Sequence, residues 1–141
     1  MINFTHVSAA VTASDLNNIE QRFGFIFPDA VREQYLKYNG GHPDRNRFPG
    51  AKGAFLVHDF IPIRMLEKLI QWLKVDQGVL PDGLVPFADD PCGNLYCFSV
   101  GQEDFGAIYW FEAEGYGKHR TEFLARSLGD FLANLKCKDG E

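Results

Sequence analysis

The chain has 141 residues, 45% of them hydrophobic and including thirteen Phe, five Tyr and two Trp, enough to bury a core as a single domain over 1–141 without disulfide or metal staples. Its net charge is −5, and the acidity is segregated: Asp76, Asp82, Asp89, Asp90, Glu103, Asp104, Glu112 and Glu114 fall between Lys74 and Lys118, a span with no Lys or Arg. Such a field disfavours nucleic acid and anionic membrane and attracts a basic protein. Any one of these carboxylates is explained well enough by keeping a loop soluble; the span without compensating cations is what sets the block apart. No apolar run is long enough for a membrane span, and the N-terminus lacks the basic-then-apolar pattern of a secretory leader. Cys92, Cys97 and Cys137 are an odd count without C-x-x-C spacing, which argues against a disulfide framework or zinc ribbon and places the chain in a reducing cytoplasm.

In chain order, Thr12 and Asp15 have the spacing of a capping box, with Val11 and Leu16 placed as a hydrophobic staple. Leu16, Ile19 and Phe23 then share one helical face, and Gly24 can end that helix in a left-handed conformation. Pro28 and Asp29 suit the first turn of a second helix with Val31, Tyr35 and Tyr38 as its apolar stripe, stopped by Asn39, Gly40 and Gly41. Residues 40–53 read as a long surface loop. FLVHDFIPI reads as extended, with Phe55, Val57 and Phe60 apolar, and a third helix follows with Leu66, Leu69, Ile70 and Leu73 on one face.

Pro81 and Gly83 punctuate the exit from that helix, and Leu84 to Ala88, Leu95 to Val100 and Ala107 to Phe111 read as adjacent strands, the last two joined by a hairpin over 101–106. Apolar residues occupy successive positions in both later strands, so both faces require burial, by helices on one side and by loops or a partner on the other. Ser127 and Asp130 predict a second capping box opening a final helix, with Leu128, Phe131, Leu132 and Leu135 inward. The expected fold is α+β: a twisted, mostly antiparallel sheet of about five or six strands with helices packed on one side. There is no regular βαβ alternation and no G-x-G-x-x-G or Walker pattern, which disfavours a nucleotide enzyme.

The order I-E, G-x-x-x-P and Y-x-x-x-N-G-G within Ile19 to Gly41, followed by LPDGLVPFADDPCGNLYCFSV, AIYWFEAE and SLGDFLANL, resembles the SUKH superfamily from about Thr12 to Leu135. That superfamily includes a branch named after a yeast regulator of cell-wall synthesis and many bacterial immunity proteins that neutralise secreted toxins. The resemblance implies a stoichiometric protein binder whose partner is a cognate toxin domain, a nuclease among the candidates, with no cofactor and no catalytic or metal-binding residues of its own. On that reading Asp89, Asp90, Glu103, Asp104, Glu112 and Glu114 supply steering and specificity toward a basic partner, with Phe105 and Tyr116 as aromatic anchors. The alternative is a cytosolic regulatory interaction module of the fungal type. Against it, the chain is expected to be a bare domain without the long disordered flanks a hub uses to gather partners.

Catalytic readings are weaker. His42, His58 and His119 are dispersed, with no H-E-x-x-H. Cys92 lies in a Pro-Cys-Gly turn beside Asp89 and Asp90, and neighbouring carboxylates raise a thiol pKa, the wrong direction for a nucleophile. The adjacent pair Asp89 and Asp90 is more readily a contact for a cationic partner than a general acid and base. Cys97 and Trp110 read as core residues.

Overall fold

The computed structural model describes residues 2–115 and 117–137. Helix α1 (Ala13–Phe23) opens at Thr12, whose hydroxyl accepts the Asp15 N–H at 3.2 Å while the Asp15 carboxylate accepts the Thr12 N–H at 2.9 Å. It closes at Gly24 with φ 72°, the left-handed conformation anticipated there. Helix α2 (Asp29–Lys37) begins one residue later than the sequence suggested, since Pro28 is its N-cap and not part of its first turn. Between the helices, Phe25 and Phe27 turn inward and Ile26 is 68% exposed.

Asn39 is buried, with both ends of its amide used: Oδ1 accepts the Ile63 N–H and Nδ2 donates to the Ala9 carbonyl, each at 2.8 Å. One side chain thus ties the N-terminal segment to the start of the third helix. Gly40 follows with φ 75°, where a Cβ would lie 2.7 Å from the Pro62 nitrogen, so no other residue fits this close approach of two backbones.

Residues 40–53 do not form the long loop expected. They contribute β2 (His42–Pro43), paired antiparallel with β1 (Phe4–Thr5), and β3 (Arg47–Phe48), paired with β4 (Phe55–Leu56). The physical reason is Phe48, which leaves solvent to stack on Phe131 at 5.1 Å and draws its segment inward. Helix α3 (Ile63–Ile70) continues as a π-helical segment, Gln71–Asp76. Leu66, Ile70 and Leu73 are buried as expected, and Leu69 is only half-buried.

The main sheet contains β5 (Leu84–Asp89), β6 (Leu95–Ser99), β7 (Ile108–Phe111) and β8 (Thr121–Ala125), all antiparallel and in that spatial order. Single bridges from Phe60 to Ala88 and to Gly41 extend it beyond β5. Strand β8 was not anticipated, because Thr121, Glu122 and Phe123 are exposed and carry no inward apolar alternation. Every residue of β6 is buried within the chain, so its two faces require no partner. Helix α4 (Leu128–Ala133) starts at Ser127, whose hydroxyl accepts the Asp130 N–H at 3.1 Å; the reciprocal bond of the expected capping box is not made among the described residues.

Helices and sheet meet through aromatic rings: Phe98 lies 5.7 Å from Phe27, and Phe87 lies 5.3 Å from Phe60 and 5.9 Å from Phe131. The buried phenols are satisfied, Tyr35 donating to the Ile61 carbonyl at 2.8 Å and Tyr96 to that of Leu56 at 2.6 Å. The fold is α+β and antiparallel throughout its sheets.

Candidate partner-binding site

Strand pairing distributes the acidic block over opposite ends of the main sheet. Leu95 pairs with Asp89 and Phe111 at one end of β6, while Ser99 pairs with Leu84 at the other, about 14 Å away at the rise of a strand. Asp89, Asp90, Glu112 and Glu114 therefore gather at the first end, and Glu103, Asp104 and Phe105 lie in the β6–β7 turn at the second. The expected anchor Tyr116 lies outside the described residues. The seven described residues form no single patch.

Several of these carboxylates have internal partners. Asp90 Oδ1 accepts the N–H groups of Cys92 and Asn94, both at 2.8 Å, and its Oδ2 accepts the Trp110 indole N–H at 3.2 Å. Asp104 accepts the hydroxyls of Ser99 and Tyr109, each at 2.6 Å, and these bonds hold its carboxyl below the usual carboxylate range while raising the Tyr109 phenol. Glu112 pairs with Arg120 at 3.4 Å. Glu103 and Glu114 are exposed, as is Phe105 at 48%.

Asp89 belongs to a different grouping. Its Oδ1 accepts the Asp59 N–H at 3.0 Å and lies 3.3 Å from His58 Nδ1, while Asp59 lies 3.3 Å from His42 Nδ1. Partial burial raises the Asp89 carboxyl, only partly offset by the Asp59 N–H and by His58. Beside this corner, α3 and the β5–β6 turn enclose an apolar groove of about 400 Å³. Met65, Leu69 and Trp72 form its helical wall, Ile61 lies between, and Asp89 and Leu95 stand opposite. Met65 is 59% and Trp72 53% exposed, large apolar surface for one short helix to leave in water.

Sequence reasoning missed this groove. The spacing of Met65, Leu69 and Trp72 is that of a helical stripe, but Leu66, Ile70 and Leu73 form an adjacent one and claimed the inward face. Cys92 is exposed and Cys97 buried, where burial pushes its thiol up. Among the described residues no group of three or more His, Cys, Asp or Glu is arranged to hold a metal ion. No described helix is long and apolar enough to cross a membrane.

The sequence matches the model of the SMI1 / KNR4 family (SUKH-1) over residues 10–134, nearly the whole described structure. The chain belongs to that family. SUKH-1 domains are protein-interaction modules serving immunity or regulation. In this SUKH-1 chain the first of the motifs that carried the resemblance, Ile19 to Gly41, is structural: Gly24 ends α1, Pro28 caps α2, and Asn39 with Gly40 fixes the approach of three segments. No curated protein matches the chain.

Proposed function

We propose that this SUKH-1 domain is a cytoplasmic immunity protein that neutralises one cognate secreted toxin by stoichiometric contact. The observation that supports it best is the family match over residues 10–134, and the acidic block is compatible with it. Nuclease toxins present basic substrate surfaces, so an acidic inhibitor gains fast, steered association and stands in for phosphate charge. Steering needs only charge near the surface, so Asp89, Asp90, Glu103, Asp104, Glu112 and Glu114 contribute to the field even where they bond internally. Phe105 and Tyr116 are the proposed aromatic anchors.

The test is genetic. The C-terminal domain of the product encoded directly upstream is expressed with and without this protein, and growth is scored. Toxicity relieved only by coexpression is the expected result. A harmless neighbour, or toxicity that this protein does not relieve, favours the regulatory module instead.

A further inference from the structure

We infer that the trough between α3 and the β5–β6 turn binds a protein segment that presents one large apolar side chain beside a lysine or arginine. The trough has two joined parts. The apolar part is the groove walled by Met65, Leu69, Trp72 and Leu95, and a second hollow of about 260 Å³ continues from it past Ile61, Met65 and Asp89 to Asp59. An apolar anchor fits the first part and a cation the second.

Charge complementarity identifies the occupant. Asp59 and Asp89 face the second hollow, and among the described residues neither pairs with a lysine or arginine; their nearest basic groups are His42 and His58, at 3.3 to 3.5 Å. Two half-exposed carboxylates held together by the Asp59 N–H repel each other, and an incoming ammonium or guanidinium relieves that repulsion. Lys68 lines the helical wall of the groove and disfavours a cation there, which places the cationic end of the segment at the Asp59 end, where the two carboxylates disfavour an acidic group. The apolar wall is already formed: the helix turns its inward stripe of Leu66, Ile70 and Leu73 to the core, so exposing Met65 and Trp72 has no role there. Clusters of an aromatic and a flexible Met at a rimmed groove match the composition of protein-binding hot spots.

This inference rests on the partner-binding reading above, and not on the partner being a toxin. Random peptides displayed on phage are selected on the purified protein, and enriched sequences are synthesised and their affinities measured by fluorescence polarisation. The expected peptides carry a large apolar residue close to a Lys or Arg. Trp72→Ser and Met65→Ser, both at exposed positions, weaken them by at least about tenfold, and Asp59→Asn by about threefold. Phe123→Ser, which removes an equally exposed ring on β8, leaves affinity unchanged. Selection of no peptide, selection of acidic peptides, or equal binding to Trp72→Ser and wild type overturns the inference. A failed toxin rescue alongside groove-dependent peptide binding removes the immunity reading alone. Successful rescue with no groove-dependent peptide removes the groove alone.

Discussion

The carboxylate of Glu20 accepts the backbone N–H of Phe27 at 2.8 Å, closing the corner between α1 and α2 from the last turn of the first helix. Phe27 is buried, so its amide needs a partner within the protein. Arg32 stands 3.6 Å from the same oxygen and joins the second helix to the arrangement. The acidic residue of the I-E pair thus links the two helices through the segment that separates them. Glu20→Ala orphans a buried donor and is expected to cost about 1–3 kcal/mol. Urea unfolding measures it, and an unchanged midpoint contradicts the role assigned to the bond.

Glycines in the two turns differ in what surrounds them. Gly24 has φ 72° with nothing within 4 Å of the point where a Cβ would stand, so Gly24→Ala costs only the strain of the left-handed backbone, about 1 kcal/mol. Gly40 has a similar φ of 75° but a backbone nitrogen 2.7 Å from the corresponding point. Gly40→Ala is therefore expected to cost more than about 2 kcal/mol. Asn39→Ala, which leaves the Ile63 N–H and Ala9 carbonyl unmatched, falls in that range as well. Equal losses at Gly24 and Gly40 on urea unfolding contradict this assignment.

Local spacing made much of this legible. A Thr-x-x-Asp pair, a glycine at a helix end and an alternation of apolar residues each act within a few positions, so the first two helices and strands β5 to β7 follow from the sequence. Elements decided by distant contacts did not. Strand β3 exists because Phe48 reaches Phe131, far off in sequence, and β8 because Glu122 and Phe123 pair with Trp110 and Tyr109 although its own residues are mostly exposed and show no apolar alternation. The acidic block was legible as composition, but its division between the ends of β6 is a property of strand register. The groove was hidden for a different reason: Met65 and Trp72 are as apolar as the core residues beside them, and only packing tells which stripe is left outside.

Asp104 and Asp89 respond to pH with opposite signs. Hydrogen bonds from Ser99 and Tyr109 hold the folded-state pKa of Asp104 below its ordinary 3.8, so its contribution is present above 3.8 and is lost as pH falls through the folded value. The stability difference between wild type and Asp104→Asn should be full at neutral pH and close in acid. Desolvation raises Asp89 above 3.8 when folded, so its contribution is full below 3.8 and is lost as pH rises through the folded value. Asp89→Asn, which keeps an acceptor for the Asp59 N–H, should be at least as stable as wild type at neutral pH. Urea midpoints measured across the acid range check both signs, and parallel curves for the two variants contradict them.

Glu103 and Glu114 are exposed, at opposite ends of β6, so reversing either tests the steering field with little disturbance to the fold. Glu103→Lys with Glu114→Lys should slow association with a basic partner by about tenfold at low salt and flatten its salt dependence, leaving dissociation nearly unchanged. Stopped-flow association at several ionic strengths reads this. Unchanged rates remove the electrostatic proposal even if inhibition survives.

Stoichiometry tests the central claim most directly. Purified toxin domain from the upstream product is held at a fixed concentration well above the dissociation constant, and its activity is followed as this protein is added. A binder that blocks its target gives a linear fall ending at one equivalent, and that is the expected result. Loss of activity at a small fraction of an equivalent, progressing with time, would contradict the account by showing that the protein acts on the toxin catalytically.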